Sequence, residues 1–289
     1  MQGTQNLLNP SDIQTFKLFK FFIIPVNADM SSTMSGCSPK INYLQKSPIE
    51  QHGTRNTEHR TRNIPFKHSN PSNLHMRYSA KEERANTITH AIGIAFGLLA
   101  GAFLIQKAIL SQNSWAIASY SVYAMGMTFS YLTSTLYHID MNEKSKIVRR
   151  EFDHAAIYCH IAGTYTPFTL VVLRDQGAWG WSLFGIIWVA AAAGVLLSFL
   201  KLKNTSKLET ICYVAMGWVV VFALKPMMDV LSVNDSMNVL WWLIAGGLFY
   251  TVGAVLYSFK KIQYMHAVWH LFVLGGSVCH AMAIWSIKI

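Results

Sequence analysis

The stretch HAVWHLFVLGGSVCHAMAI, residues 266–284, decides how the rest of the chain is read. It is apolar over about the 20 residues that a helix needs to cross a hydrocarbon core. Its first turns nevertheless carry His266 and His270. That i, i+4 spacing puts both imidazoles on one side of a helix, close enough for two to grip one metal ion. A membrane helix with a metal-binding first turn is therefore expected, and the question becomes what else reaches the same depth.

Six further apolar segments precede it, and helices are expected at about 87–109, 116–138, 152–173, 179–200, 208–228, 238–258 and 265–286. Short connections make sequence neighbours antiparallel neighbours in space. The fold class so read is all-α: a polytopic membrane protein, a seven-transmembrane helix bundle over 81–289. Composition agrees, because 289 residues with 52% hydrophobic and 13% charged side chains are too apolar for an ordinary soluble domain. Sixteen Phe, twelve Tyr and nine Trp suit aromatic belts at two membrane interfaces. Pro167 falls inside the third segment and should kink it, with Thr164 and Thr166 satisfying freed backbone groups. Lys225-Pro226 suggests that the fifth helix breaks or surfaces early.

Loop charge sets the orientation. Lys144, Lys146, Arg149, Arg150, Lys201, Lys203, Lys207, Lys260 and Lys261 fall on one side, against Lys107, Arg174, Lys225 and Lys288 on the other. Nine against four predicts a cytoplasmic N-terminus and an outside C-terminus in the plasma (inner) membrane. The net charge of +10 is spread over these loops and the tail and forms no single soluble face. Membrane lipids are therefore the expected partners, and nucleic acid is not. The singly scattered Cys37, Cys159, Cys212 and Cys279 indicate neither a zinc ribbon nor a disulfide framework.

Residues 1–80 hold six of the eight prolines and nine Lys/Arg against four Asp/Glu, a composition expected of a disordered basic tail. Within it FKLFKFFIIPV (16–26) is too short to span and has poor signal-peptide flanks, which leaves an interfacial patch or a plain disordered stretch. A start at Met76 is the other possibility, and a native peptide covering Lys46 would rule it out.

With this topology Ser134 and His138 close the second segment, Asp153 opens the third, and His266 and His270 open the seventh, all at the cytoplasmic face. Ser134 and His138 repeat the i, i+4 spacing, which places the hydroxyl on the stripe that carries the third imidazole. Three neutral histidine nitrogens with an open fourth position are the ligand set of a catalytic zinc, whose water titrates near pH 7. Asp153 has two readings. It is a general base or orienting partner for that water, or it is a helix N-cap or an ion-pair partner of Arg149 or Arg150. Glu82, Glu83, Asn86 and His90 either buttress the site or cap the first helix. His160 reads as cavity-lining or packing. His280, roughly 15 Å beyond His270, reads as an interhelical hydrogen bonder.

The segments EERANTITHAIG (82–93), SYLTSTLYH (130–138), FDHAAIYCHIAGTYTPF (152–168), YVAMGW (213–218) and HAVWHLFVLGGSVCHAMAI (266–284) resemble the hemolysin III family. That family belongs with the progestin and adipoQ receptors and shares its SxxxH, Asp and HxxxH pattern with the alkaline ceramidases. The resemblance covers 81–289. It implies Zn2+ ligands at His138, His266 and His270, with Ser134 and Asp153 beside the metal-bound water. Cys159-His160 departs from it, standing where more apolar residues are expected. Three functions follow: a zinc-dependent hydrolase of a lipid amide or ester, a non-enzymatic receptor-like or membrane-homeostasis protein with structural zinc, and a pore-forming cytolysin. The last fits least, since no secretion signal or polar channel stripe is seen.

Overall fold

A computed structural model describes residues 78–200, 205–259 and 262–289. The expectations for the basic tail and for a start at Met76 lie outside them. The described residues form helices α1 (Ala80–Leu110), α2 (Ser114–Ile139), α3 (Glu143–Pro167), α4 (Trp179–Phe199), α5 (Thr205–Trp218), α6 (Leu224–Val233), α7 (Asn238–Tyr257) and α8 (Met265–Trp285). A π turn, Phe168–Val172, extends α3, and a 3-10 turn, Val219–Ala223, joins α5 to α6. α1 packs on α2, α2 on α3, α3 on α4 and α7 on α8, and α1 also meets α8.

Among the described residues six spans are long and apolar enough to cross a membrane: α1, α3 with its π turn, α4, Leu208–Val233, α7 and α8. Their outer faces carry large apolar side chains such as Phe103, Val189, Phe222 and Trp241, each at least 60% exposed, which water would not tolerate in such number. The chain is therefore an all-helical integral membrane protein with several crossings. α2 is long as well, at 26 residues, but its serines, threonines and tyrosines dilute its apolar character. Those residues turn inward: Tyr120, Tyr123, Tyr131, Thr133 and Ser134 are all buried. Close approach by α1 allows this, since a methyl group added at Gly97 or Gly101 would come within 2.7 Å of Thr128 or Ala124 of α2.

α1 starts on a capping box. The Ser79 hydroxyl accepts from the Glu82 backbone N–H, and the Glu82 carboxylate accepts from the Ser79 N–H at 2.9 Å. α3 starts nine residues before the expected position, because the side chain of Asn142 caps the backbone N–H groups of Lys144 and Ser145. Arg149 pairs with Asp140 at 2.9 Å, which fixes the turn between α2 and α3.

Two interruptions shape the interior. At Pro167 the missing N–H ends regular α-helix, and Thr164 and Thr166 donate back to the His160 and Ala162 carbonyls at 2.8 Å. In the fifth segment the break falls before Lys225-Pro226, at Val219–Ala223, and the helix then runs on to Val233. Pro226 lies in the first turn of α6, where no intrahelical N–H is needed. The Tyr165 hydroxyl serves the broken backbone instead, reaching the Met216 and Gly217 carbonyls at 2.8 and 2.9 Å and accepting from the Val220 N–H at 2.9 Å.

Candidate metal centre and cavity

The start of α1, the end of α2 and the start of α8 lie at one end of the bundle. There α2 contributes His138, and α8 contributes His266 and His270. One nitrogen from each of these rings lies within 4.8 Å of the others. His266 Nε2 is 3.1 Å from His138 Nε2 and 3.1 Å from His270 Nε2.

Hydrogen bonds on the far side of two rings explain why these nitrogens converge. Glu83 Oε2 lies 2.6 Å from His138 Nδ1, and a carboxylate accepts, so Nδ1 carries the proton. The Asn86 carbonyl lies 3.2 Å from His270 Nδ1 and imposes the same tautomer there. In the neutral rings both Nε2 atoms are then bare lone pairs aimed at a common point. A proton on His266 Nε2 can serve only one of them, which leaves at least one lone pair available to a cation. On a tetrahedral ion with bonds of about 2.0–2.1 Å, two nitrogens stand roughly 3.3 Å apart, close to the spacing found. The donor set and its spacing thus fit a metal ion, with histidine nitrogen suited to zinc among others.

Glu83 is itself buried and held by Lys146 Nζ at 2.8 Å. Thr89 Oγ1 sits 3.0 Å from His270 Nδ1. Tyr78 stacks on His266 with ring centroids 5.0 Å apart, and Tyr257 flanks the same ring at 5.2 Å. The four polar residues at the head of α1 therefore divide. Glu82 belongs to the cap, Glu83 and Asn86 hold the metal-site rings, and His90 stacks on His270 at 3.5 Å between centroids.

Ser134 and Asp153 line a cavity of about 310 Å³ that His266 and His270 also line. Asp153 is buried beside Ser134. It lies ten residues into α3, which removes the N-cap reading; Arg149 is engaged by Asp140, while the charge of Arg150 still acts on Asp153. The remaining cavity wall is mostly apolar, including Ile161, Phe168, Leu243 and Val273. His160 and His280 line its inner part. His280 Nε2 donates across to the Leu243 carbonyl of α7 at 3.3 Å, the interhelical bond expected from sequence.

Sequence reasoning did not find Tyr78, Lys146 or the His154–Glu209 pair, whose Nδ1 and Oε2 are 2.6 Å apart beside Asp153. Each depends on a distant partner, and an isolated Lys or Glu carries no sign of it.

Fold and site together define a class: multi-crossing helical membrane proteins with a buried three-histidine cluster that can hold a metal ion at one end of an apolar cavity. Residues 78–281 match the family described as Haemolysin-III related, and the chain belongs to that family. It is similar to Hemolysin-3 of Bacillus cereus, with 41% identity over 202 residues covering 70% of this chain and 90% of that protein. The Hemolysin-3 homolog of Bacillus subtilis (strain 168) is 40% identical over 200 residues, covering 69% and 91%. The human Monocyte to macrophage differentiation factor is 32% identical over 225 residues, covering 76% and 90%.

Proposed function

We propose that the chain is a zinc-dependent intramembrane hydrolase of a lipid amide or ester, working at the cytoplasmic leaflet of the plasma (inner) membrane through a seven-span bundle with its N-terminus inside. The observation that carries this reading is the cluster of His138, His266 and His270 at the end of an apolar cavity whose wall is shared by His266, His270, Asp153 and Ser134. His138, His266 and His270 would hold the ion. Bound there, Zn2+ supplies a Lewis acid and a nucleophilic water at neutral pH. The cavity admits the acyl chain and excludes bulk water. Asp153 takes the proton as a water oxygen bonds to the carbonyl carbon, then delivers it to the amine or alkoxide as the carbon–nitrogen or carbon–oxygen bond breaks. The Ser134 hydroxyl steadies that water or the carbonyl oxygen.

Asp153→Asn tests this. Metal content of about one zinc per chain and the melting temperature should stay as in the wild type, while hydrolysis of a ceramide or acyl-lipid substrate falls by at least about a hundredfold. Unchanged turnover would remove the proposed base.

One arrangement favours a second reading. The three ligands come from α2 and α8, and Glu83, Asn86 and Thr89 of α1 brace them, so a metal there would staple three helices in a receptor-like protein. Loss of thermal stability on chelation, with no lipid hydrolysed by the zinc-loaded protein, would favour the staple.

A further inference from the structure

The inner end of the cavity holds two imidazoles for which the metal site has no use. His160 of α3 and His280 of α8 are 94% and 91% buried, since their exposures are 6% and 9%. His280 lies ten residues beyond His270, about 15 Å farther from the metal end at helical rise. The Tyr250 ring stands between the two histidines, its centroid 6.5 Å from that of His160 and 5.4 Å from that of His280. The tyrosine hydroxyls there are already engaged: Tyr131 and Tyr250 both meet Ser277 Oγ, at 2.7 and 2.8 Å. The histidines are not, since His160 Nε2 and His280 Nδ1 are buried nitrogens without a hydrogen-bond partner. His90 is a third such ring, but it stacks on His270 and belongs to the metal end.

An apolar chain alone would leave both nitrogens unpaired, which is unfavourable for buried polar groups. The partner they require can be specified further. His280 Nε2 faces a carbonyl, which only accepts, so Nε2 carries the proton and Nδ1 of the neutral ring is an acceptor. Nδ1 therefore needs a donor, which excludes a ketone or an ester carbonyl. A hydroxyl group suits either nitrogen: it donates to His280 Nδ1, and it accepts from His160 Nε2 when that nitrogen carries the proton. The surrounding wall of Ile161, Leu243, Ile244 and Val273 suits the methylenes on either side of it.

We propose that this inner subsite recognises a hydroxyl carried partway along an acyl chain, so that the cavity selects hydroxylated chains over plain ones. This rests on the reading of the cavity as an acyl-chain site, and the test separates the two. Oleate and ricinoleate differ by a single mid-chain hydroxyl. Full-length protein in nanodiscs is loaded with radiolabelled oleate, which is displaced with either unlabelled acid. Ricinoleate should displace the label at about tenfold lower concentration than oleate, the value of one well-made hydrogen bond to an otherwise unpaired group. The affinity ratio should fall to near one in His280→Leu and in His160→Leu, and being a ratio it is insensitive to the fraction of folded protein. Equal displacement by the two acids in the wild type means that water alone serves these histidines and overturns the hydroxyl proposal. A ratio that survives both substitutions overturns it as well. If neither acid displaces the label, the acyl-chain reading falls and this proposal falls with it.

Discussion

At His138 the two ring nitrogens have separate tasks, and Glu83 assigns them: with Nδ1 donating to the carboxylate at 2.6 Å, Nε2 is left to meet His266. Glu83→Gln keeps the size of the side chain but replaces the charged acceptor, which weakens ring orientation and ligand basicity together. Zinc affinity should drop by about 10–100-fold, measured by competition with a chromophoric chelator. Glu82→Gln is the control. That neighbour bonds Ser79 and the Tyr264 backbone N–H, so zinc affinity should stay within about twofold of the wild type. Adjacent and chemically alike, Glu82 and Glu83 differ in the sequence only by the Ser79-x-x-Glu82 spacing of a capping box, and the role of Glu83 is set by its angular position on α1 relative to α2. The clustering of His266 and His270 is legible, because residues at i, i+4 share one side of a helix. The unpartnered nitrogens of His160 and His280 are not, since their partners are set by α7 and by the cavity.

Helix interruptions show the same division between local and distant causes. The end of α3 is legible at Pro167, because a missing N–H acts within its own turn. The early start of α3 is not legible from apolarity, since KSKIVRREF (144–152) is too polar to suggest continuation, and Asn142 sets it by capping. The break in the fifth segment is legible only in part: Pro226 signals an interruption, but VVVFA contains no breaker of its own and the break falls there, ahead of the proline. What sustains it is one hydroxyl from Tyr165, about fifty residues upstream, bonded to Met216, Gly217 and Val220. Removing that oxygen in Tyr165→Phe leaves buried backbone groups unpaired. The protein should lose about 1–3 kcal/mol in a reversible unfolding assay, with zinc content unchanged because no metal ligand is touched. Stability equal to the wild type would mean that water enters the break and replaces the hydroxyl.

For the whole molecule, the metal end and the opposite end differ in chemistry. Trp115, Trp181, Trp241 and Trp285 cluster at the starts of α2, α4 and α7 and the end of α8, away from the histidines. Arg174 lies over Trp115 with its guanidinium carbon 5.2 Å from the ring centre, as in an interfacial belt. A metal held at the other end, as proposed, would join α2 to α8, so a chelator should lower the melting temperature of the wild type but leave His266→Ala unmoved. Loop charge gives only the expected sense of insertion, and the number of crossings turns on α2. In the sequence it reads as one of seven apolar segments of spanning length, yet its own composition does not mark it as a span. Its polar side chains are buried against α1 and α3, so lipid meets mainly its apolar remainder, such as Met125 and Phe129. Single cysteines at the exposed positions Gln112, Lys144 and Gln176, in a background freed of native cysteines, bracket α2 and α3. A membrane-impermeant maleimide applied to intact cells should label Gln112→Cys and Gln176→Cys, and should reach Lys144→Cys only after permeabilisation. Labelling of Lys144→Cys alone would place the histidine end outside the cell. Labelling of Gln112→Cys and Lys144→Cys together would show that α2 re-enters without crossing, which breaks the alternation on which the seven-span reading depends.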